Sequence, residues 1–334
     1  MSAVHRVTMQ DVAERAGVSR ALVSRAFRGE TGVSRDARAA IAAATEVLGY
    51  RHNAIAARLA AHHTKTIGLF LLDIYNEVFA DIFAGMRAAA REAQYDIVLA
   101  VGGTRPDDEI RAVESLLHMR VDAAILAGSM LPDDTLRQYG AATTLVSTTR
   151  IVPAIDSIAA ADRRGAQRAT EHLLALGHRR IMFLAPSTGA LYGEREQGYR
   201  AGMRSAGLQA LAVATGLSRD TVAHTAHGIL TSGEPPTAVF AYNDLTAFGV
   251  LQAAASLGLT VPGDLSLVGY DDTQPAALPG IRLTSVNQHA TRQGRLAVAR
   301  ALAHIEKPDL DVQHKRLVPT LMIRESTDIP RERH

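Results

Sequence analysis

Few residues of this chain are arranged for catalytic or metal chemistry. It has no cysteine, which excludes disulfides, thiolate metal sites and a cysteine nucleophile. His172 and His178 are six residues apart, which does not place two metal ligands on one helix face, and His62 and His63 have no further ligands beside them. The segment LAVGGTRPDD has too few glycines for a dinucleotide site, and no P-loop is present. We therefore expect no catalytic residue, no metal and no cofactor.

Arginines near the N-terminus offer a different chemistry, the binding of phosphates and base edges. Residues 1–66 carry ten Lys or Arg and five Asp or Glu, a net charge of +5, whereas the other residues carry 26 and 29, a net charge of −3. Arg20 and Arg25 can each donate a bidentate pair of hydrogen bonds to guanine, and Ala21 offers an apolar contact of methyl size. A solvated basic surface would carry the same charge, so charge alone does not decide between the two.

Three short helices are predicted to position these arginines. They are bounded by capping side chains and by glycines that suit turns and helix ends: Thr8 with Asp11, Gly17, Ser19, Ser34 and Gly49. The second helix covers residues 20–27 and the third covers residues 35–48. Two helices joined by a short turn that contains Gly are the signature of a helix-turn-helix, whose second helix enters the major groove.

From Ile67 onward the hydrophobic pattern changes to short apolar runs that alternate with helical stretches. The runs are IGLFLL, DIVLAV, DAAILAG, TTLVST, RRIMFLA, TAVFAY and LSLVGY, and the helical stretches lie near 79–93, 107–119, 133–140, 162–176, 194–206 and 244–257. This alternation indicates parallel sheets covered by helices. Two successive blocks indicate two lobes, with a ligand expected in the crevice between them, at the carboxyl ends of the strands.

Eight strings of this chain, in order, resemble the lactose-repressor/galactose-repressor (LacI/GalR) family of transcriptional regulators. They are TMQDVAERAGVSRALVSRAF, VSRDARAAI, LGYRHNAIAARLA, DIYNEVFADIFAGM, HLLALGHRRI, AYNDLTAFGVLQAAASLGLTVPGDLSLVGYDD, LTSVNQ and VPTLMIRESTDIP. The resemblance implies an α-helical helix-turn-helix headpiece followed by a two-lobed, periplasmic-binding-protein-like α/β domain with parallel sheets. It also implies a repressor that binds a pseudo-palindromic DNA operator as a homodimer and responds to a small-molecule effector, a sugar or related metabolite.

The same resemblance divides the chain into domains. The expected ranges are 1–52 for the helix-turn-helix domain, 53–66 for a hinge helix and linker, and 67–334 for the effector-binding and dimerisation domain, in which lobe 1 holds about 67–159 and 290–320 and lobe 2 about 160–289 and 321–334. The family's tetramer-forming coiled coil is not seen after ESTDIP, so a homodimer is expected. Without a signal peptide or an apolar run of membrane length, we expect a cytoplasmic protein with no membrane partner.

The resemblance places the DNA contacts in the headpiece and the hinge. They are Thr8, Ser19, Arg20, Ala21, Ser24, Arg25, Asn53, Ala56 and Leu59. Arg20 and Arg25 would face base edges, with a phosphate contact as the alternative for each, and the three hydroxyl residues would be caps that also meet phosphate. Leu59 would wedge between base steps in the minor groove; a role as a core residue is the alternative, but so short a helix has no core of its own. His52 and Arg28 depart from the family pattern, which has Pro and Asn there.

Effector contacts are placed by the resemblance on five polar residues and one aromatic residue. They are Asn76, Phe79, Arg195, Asn243, Asp271 and Gln288. Arg195 offers a bidentate donor and Asp271 an acceptor, which suits a neutral polyol or a nucleobase-like ring. The alternative is a structural ion pair across the cleft, and the empty protein can combine both roles. Val78 and Leu217 stand where many relatives have aromatics, so stacking on a sugar would rest on few residues.

Two other classes of protein fit the sequence less well. A periplasmic-type solute-binding protein would have the same two lobes, but it would carry a signal peptide and lack the basic helical headpiece. An enzyme would need catalytic or cofactor motifs, and the sequence has none.

Overall fold

The computed structural model describes residues 7–27, 31–50, 64–103, 105–186 and 193–331. The chain divides into two compact units, Met1–Thr64 and Lys65–His334. No helix within these described ranges is long and apolar enough to cross a membrane.

The described part of the first unit holds three helices, α1 (Met9–Ala16), α2 (Arg20–Phe27) and α3 (Arg35–Leu48). A capping box begins α1, because Thr8 Oγ1 accepts a hydrogen bond from Asp11 N at 3.3 Å and Asp11 Oδ2 accepts one from Thr8 N at 2.7 Å. Gly17 follows α1 and Gly49 follows α3, both with the positive φ that glycine adopts without steric cost. The predicted limits of the second and third helices are confirmed.

A small apolar core joins these three helices. Its buried members are Val12, Ala13, Val23, Ile41 and Ala44. The rings of Phe27 and Tyr50 lie next to it, 5.9 Å apart between centroids. The helix-turn-helix is therefore stabilised mainly by packing between helices, since helices this short are marginal in isolation.

Strands and helices alternate through the second unit, as the apolar runs predicted. The strands are β1 (Thr66–Leu71), β2 (Asp96–Val101), β3 (Ala123–Ala127), β4 (Thr144–Thr148), β5 (Asp156–Ala160), β6 (Ile181–Pro186), β7 (Leu211–Thr215), β8 (Ala238–Ala241), β9 (Ser266–Asp271), β10 (Thr284–Asn287), β11 (His314–Leu317) and β12 (Thr320–Met322). The helices are α4 (Glu77–Glu92), α5 (Pro106–His118), α6 (Asp133–Ala142), α7 (Asp162–Ala175), α8 (Gly193–Ser205), α9 (Arg219–Leu230), α10 (Asp244–Ser256) and α11 (Ala290–Glu306).

Two six-stranded sheets form from these strands. The first has the order β11-β5-β4-β3-β1-β2 and is parallel throughout, with Ile67 of β1 aligned between Ile97 and Ala123. The second has the order β12-β10-β9-β8-β6-β7 and is parallel except for the pair β10 and β12. We call the parts built on these sheets lobe 1 and lobe 2. The expected two-lobed α/β architecture with parallel sheets is confirmed.

The chain passes between the lobes three times. The first passage runs from β5 to α7, the second from β10 to α11, and the third from β11 to β12. Helix α11 returns to lobe 1, where Ala297, Val298 and Ala301 join the apolar core. Each lobe is therefore assembled from segments that are distant in the sequence.

Helices α4 and α11 of lobe 1 cross with their backbones in close contact. A Cβ atom added to Gly85 would lie 1.9 Å from the carbonyl oxygen of Thr291, and one added to Gly294 would lie 2.1 Å from that of Ile82. No side chain fits between the helices at these two positions. The contact fixes the first turns of α11, which follow directly on the second passage between the lobes.

Candidate DNA-binding surface and effector cavity

The N-terminal end of α2 presents the residues predicted to meet DNA. Val23 is fully buried in the headpiece core, while Ser19, Arg20 and Ala21 are exposed. Ser19 Oγ accepts a hydrogen bond from Leu22 N at 3.2 Å, as expected of a cap. The first turn of α2 is thus anchored at its base and open on its outer face.

Thr8 is exposed beside its own cap contacts, whereas Ser24 is half-buried inside α2, so the capping role expected of Ser24 is wrong. Arg25 has a specific contact inside the headpiece, since its Nη2 donates a hydrogen bond to the carbonyl oxygen of Thr31 at 2.9 Å. A Cβ atom at Gly32 (φ 87°) would lie 2.6 Å from the same nitrogen. The guanidinium therefore packs against the turn before α3, and base contact would compete with this bond.

Three predicted DNA contacts, Asn53, Ala56 and Leu59, lie outside the described residues, as does most of the range 53–66 expected to form the hinge helix and linker. The assignment of all nine DNA contacts stays a prediction.

Between lobes 1 and 2 lies a cavity lined by all the predicted effector residues: Asn76, Phe79, Arg195, Asn243, Asp271 and Gln288. Lobe 1 supplies the first two and lobe 2 the next three, while Gln288 stands on the second passage between the lobes. Val78 also lines the cavity, whereas Leu217 is exposed and is not part of the lining. The role of these residues as effector contacts stays a prediction.

Two asparagines reach the cavity because they cap helices that begin at the cleft. Asn76 Oδ1 accepts a hydrogen bond from Val78 N at 3.3 Å at the start of α4, and Asn243 Oδ1 accepts one from Thr246 N at 2.8 Å at the start of α10. Helix starts follow the carboxyl ends of parallel strands, which is where such folds bind ligands. Because the caps engage the oxygens, the amide N–H groups are oriented as donors for a ligand.

Each of the three guanidinium nitrogens of Arg195 has a contact within its own lobe. Its Nε donates to Asp162 Oδ2 at 3.3 Å, its Nη1 donates to the carbonyl oxygen of Tyr242 at 2.8 Å, and its Nη2 lies 3.4 Å from Asp271 Oδ1. Its Cζ also lies 3.8 Å from the ring centroid of Tyr270. Burial opposes its charge, but the neighbouring acidic groups, Asp162 foremost, raise the pKa of Arg195 well above its ordinary value.

Asp271 is buried and has an unusual backbone. Its φ of 108° is sterically costly for a residue with a side chain, and such strain clusters at functional sites. Burial raises the pKa of Asp271 to about 8, and the nearby carboxyls of Asp244 and Asp162 act in the same direction. The charge of Arg195 and a hydrogen bond from Gln288 Nε2 at 2.6 Å oppose this rise.

The expected ion pair across the cleft is wrong in one respect. Arg195 belongs to α8 and Asp271 ends β9, and both elements are part of lobe 2. The two side chains meet because α8 follows β6 and β9 lies two strands away in the same sheet, so their ends face the same edge. The pair is an internal feature of lobe 2 that forms one wall of the cavity.

Sequence reasoning missed four polar residues of the cavity lining, Asp73, Thr149, Asp162 and Tyr242. Asp162 begins α7 directly after β5, and its Oδ1 accepts a hydrogen bond from the hydroxyl of Tyr270 at 2.7 Å. Thr149 directly follows β4 with φ 79°, and its buried hydroxyl has no hydrogen-bond partner among the described residues. Their position after a strand of the parallel sheet is the signal that would have found them, had β5 and the strand ends been assigned.

The two histidines set aside as metal ligands have structural contacts. His172 Nε2 lies 3.0 Å from Thr327 Oγ1, and the ring nitrogens of His178 lie 2.9 Å from Thr237 Oγ1 and from the carbonyl oxygen of Asp328. Burial lowers the pKa of both histidines. They stabilise the attachment of the segment after β12 to lobe 2, in agreement with the packing role expected of them.

Comparison with known proteins agrees with this architecture. Residues 8–53 match the family described as bacterial regulatory proteins, lacI family, and residues 170–327 match the periplasmic binding protein-like domain. Over 330 residues the chain is 32% identical to the HTH-type transcriptional regulator GalR of Escherichia coli (strain K12). The aligned region covers 97% of this chain and 96% of that protein.

Two solved structures are similar over nearly the whole chain. One is the lac repressor dimer bound to operator and the anti-inducer ONPF, at 28% identity and a TM-score of 0.85, covering 96% of this chain and 99% of that one. The other is the complex of the transcriptional regulator CelR with cellobiose, at 29% identity and a TM-score of 0.72, covering 96% and 100%.

A helix-turn-helix headpiece followed by a two-lobed effector-binding domain defines a DNA-binding transcriptional regulator. This chain belongs to the LacI/GalR family of such regulators. Its relatives regulate transcription and are not enzymes, which excludes the enzyme class.

Proposed function

We propose that this regulator is a cytoplasmic repressor that binds a pseudo-palindromic operator as a homodimer and responds to a sugar or related metabolite in the cavity between its lobes. The observation that carries the proposal is the convergence of all six predicted effector residues on one cavity, in a chain that also has a helix-turn-helix headpiece. The similar lac repressor structure is a dimer bound to operator, and the similar CelR structure holds cellobiose.

We assign residues 1–52 to DNA binding, residues 53–66 to the hinge and linker, and residues 67–334 to effector binding and dimerisation. The exposed first turn of α2 supports base contacts by Arg20, whose side chain has room to extend from the headpiece surface. An Arg at this position suits guanine in the major groove. Arg25 then supports the headpiece through Thr31 as well as facing the DNA.

The chemistry of the cavity supports an uncharged ligand with several hydroxyl groups. The amides of Asn76 and Asn243 offer donors, and the free hydroxyl of Thr149 can donate or accept. Phe79 supplies an apolar wall, held so close to Gly128 that a Cβ atom there would lie 2.6 Å from the ring. The charge of Arg195 is already balanced by Asp162 and Asp271 of its own lobe, which disfavours an anionic ligand.

An exposed edge of lobe 1 supports the dimer. Strand β2 is an edge strand of the first sheet, and its residues Leu99 and Val101 are 45% and 37% exposed. A sheet edge with apolar side chains attracts another chain unless it is covered. Contact with the same edge of a second copy would bury it symmetrically, as a two-fold dimer requires.

Operator titrations with and without effector test the proposal. A thermal-shift screen of sugars, nucleosides and polyols first supplies the ligand. We expect that ligand to change operator affinity by about 5–150-fold, the usual size of such coupling. Asp271→Ala should abolish this response and leave operator affinity without ligand nearly intact, while the exposed control Asp220→Ala should behave as the parent.

Either of two results would overturn the assignment. A full response by Asp271→Ala would place the effector elsewhere. Loss of operator binding by Asp271→Ala without ligand would show that Asp271 serves the fold alone. The direction of the response separates an inducer, which lowers operator affinity, from a co-repressor, which raises it.

A further inference from the structure

Gln293 is a polar residue in an apolar place. It lies in the first turn of α11 and is 0% exposed. Its helix neighbours Ala290 and Ala297 belong to the core of lobe 1. A buried amide destabilises the fold unless its donors and acceptor have partners. The partners of Gln293 therefore show what its side chain is placed to do.

Both ends of the Gln293 amide are bonded, and the partners fix its orientation. Its Nε2 lies 2.9 Å from the carbonyl oxygen of Gln288 and 3.0 Å from Gln288 Oε1, while its Oε1 accepts a hydrogen bond from the hydroxyl of Thr148 at 3.4 Å. The backbone carbonyl can only accept, so the amide nitrogen must face it. With Gln288 Oε1 engaged in this way, Gln288 Nε2 is turned toward Asp271 Oδ1, 2.6 Å away.

These bonds form one directed chain from lobe 1 to lobe 2. It begins at Thr148 at the end of β4, passes through Gln293 on α11 and Gln288 on the second passage between the lobes, and ends at Asp271 on β9. The close contact of Gly85 with Thr291 holds the first turns of α11 in place. The lobe 1 end of this series of hydrogen bonds is therefore held in a fixed position.

We infer that Gln293 is a positioning residue of the effector cavity, which holds the Gln288 amide with its N–H groups toward Asp271 and so connects that carboxyl to lobe 1. This inference rests on the proposed function only in calling the cavity an effector site. Gln293 is not among the residues that line the cavity, so it acts through Gln288.

Without Gln293, the Gln288 amide is free to turn over and present its oxygen to Asp271. An amide oxygen stabilises a protonated carboxyl, whereas an amide N–H stabilises the carboxylate. The charged or titratable groups around Asp271 are Arg195, Asp162 and Asp244, with the hydroxyl of Tyr270 bonded to Asp162. These groups are unchanged by a substitution at Gln293, so a change in the titration of Asp271 reports the orientation of Gln288.

The experiment titrates Asp271 in the full-length protein by NMR. Aspartate is labelled with ¹³C at the carboxyl carbon, and the Asp271 resonance is assigned by its loss in Asp271→Asn. We expect Gln293→Met, which has similar volume and no donor, to move the titration midpoint upward from about 8. The expected size is about 0.5–1 pH unit, which corresponds to one lost hydrogen bond.

Two further variants bracket the result. Gln288→Met removes the donor itself and should move the midpoint upward at least as far, while Gln138→Met, at an exposed position of α6, should leave it unchanged. If Gln293→Met does not fold, Thr148→Val removes the next bond of the chain and should give a smaller upward shift. An unchanged midpoint in the folded Gln293→Met or Thr148→Val variant, alongside a shift in Gln288→Met, would overturn the inference. Because neither operator nor effector is used, that result would leave the proposed function standing.

Discussion

Arg195 and Asp271 lie 3.4 Å apart between Nη2 and Oδ1, and both side chains are buried within lobe 2. A ligand in the cavity therefore meets a preformed wall and does not join two half-sites. Its contacts with lobe 1 would include Asn76 and Phe79, and its influence on the passage between the lobes would come through Gln288. Closure around a ligand would move these three residues relative to the Arg195 wall.

Removal of the Arg195 charge should destabilise the protein strongly. Arg195→Met would leave Asp162 buried without its cationic partner, a change that costs about 3–5 kcal/mol. Urea unfolding measures the free energy. On the same helix, Arg200 pairs with Glu196 at the surface, so Arg200→Met should cost less than about 1 kcal/mol. Equal losses in the two variants would contradict a buried, charge-compensated role for Arg195.

The free energy of unfolding should depend on pH through Asp271 and Asp244. Burial raises the pKa of Asp271 to about 8 and that of Asp244 to about 6, from an ordinary value of 3.8. Their protons bind more tightly in the folded state, so this contribution to stability is complete below pH 4 and is lost as the pH rises through 6 and then 8. Asp271→Asn should remove the part of the loss between pH 6 and 8.

The difference between parent and variant isolates this effect. His172 and His178, whose pKa values burial lowers, change stability in the opposite direction, but they are the same in both proteins. Asp220→Asn, at an exposed position of α9, is the control. Parallel stability curves for the parent and Asp271→Asn from pH 6 to 8 would show that Asp271 does not take up a proton in this range.

Arg20 and Arg25 should differ in their effect on operator preference. Arg20→Ala should reduce the ratio of affinities for operator and scrambled duplex by about 5–150-fold, since an Arg–guanine pair is worth roughly 1–3 kcal/mol of discrimination. Arg25→Ala should change this ratio less and lower the melting temperature of the headpiece, because it removes the bond to Thr31. Both ratios are measured at one salt concentration, with Arg219→Ala as control. An unchanged ratio for Arg20→Ala would make Arg20 a phosphate contact.

The crossing of α4 and α11 should not tolerate a methyl group. Gly85→Ala would push a Cβ atom against the carbonyl of Thr291, and overpacking of this kind typically costs about 1–3 kcal/mol. Gly228→Ala, in an open position of α9 with no atom within 4 Å, should instead stabilise by roughly 0.5–1 kcal/mol. Thermal or urea unfolding compares them. Stabilisation by both substitutions would mean that the helices are further apart than the structure has them.

Sequence alone was sufficient to predict the helix limits of the headpiece, because those limits are set by residues next to each helix. Thr8, Ser19, Ser34 and Gly49 each act on the helix beside them, so their positions predict where helices begin and end. The apolar runs likewise predicted β1 and β9 and the division into two lobes, since strands buried on both faces keep a continuous apolar pattern.

The remaining elements depend on contacts that are distant in sequence. Strand β5 was not predicted because its sequence, DSIAA, is short. Helix α11 was not predicted because its first turns contain polar residues, such as Gln293, whose burial follows only from contacts with α4 and Gln288. Asp162 follows β5 of lobe 1 and lines the cavity together with residues that follow the strands of lobe 2, so its position depends on how both sheets are assembled. The resemblance already assigned Arg195 and Asp271 to lobe 2, but the contact between them depends on strand order, which no local pattern encodes.

Strands β11 and β12 set the order in which the parts of this regulator are completed on the ribosome. The headpiece is synthesised first, and domains generally fold as units as the chain emerges. Each sheet of the second unit, however, is complete only when its edge strand, β11 or β12, has been synthesised from residues 314–322. A nascent chain thus acquires its DNA-binding helices while both lobes still lack a strand. A stop codon before His314 would release a headpiece attached to two lobes that each lack an edge strand.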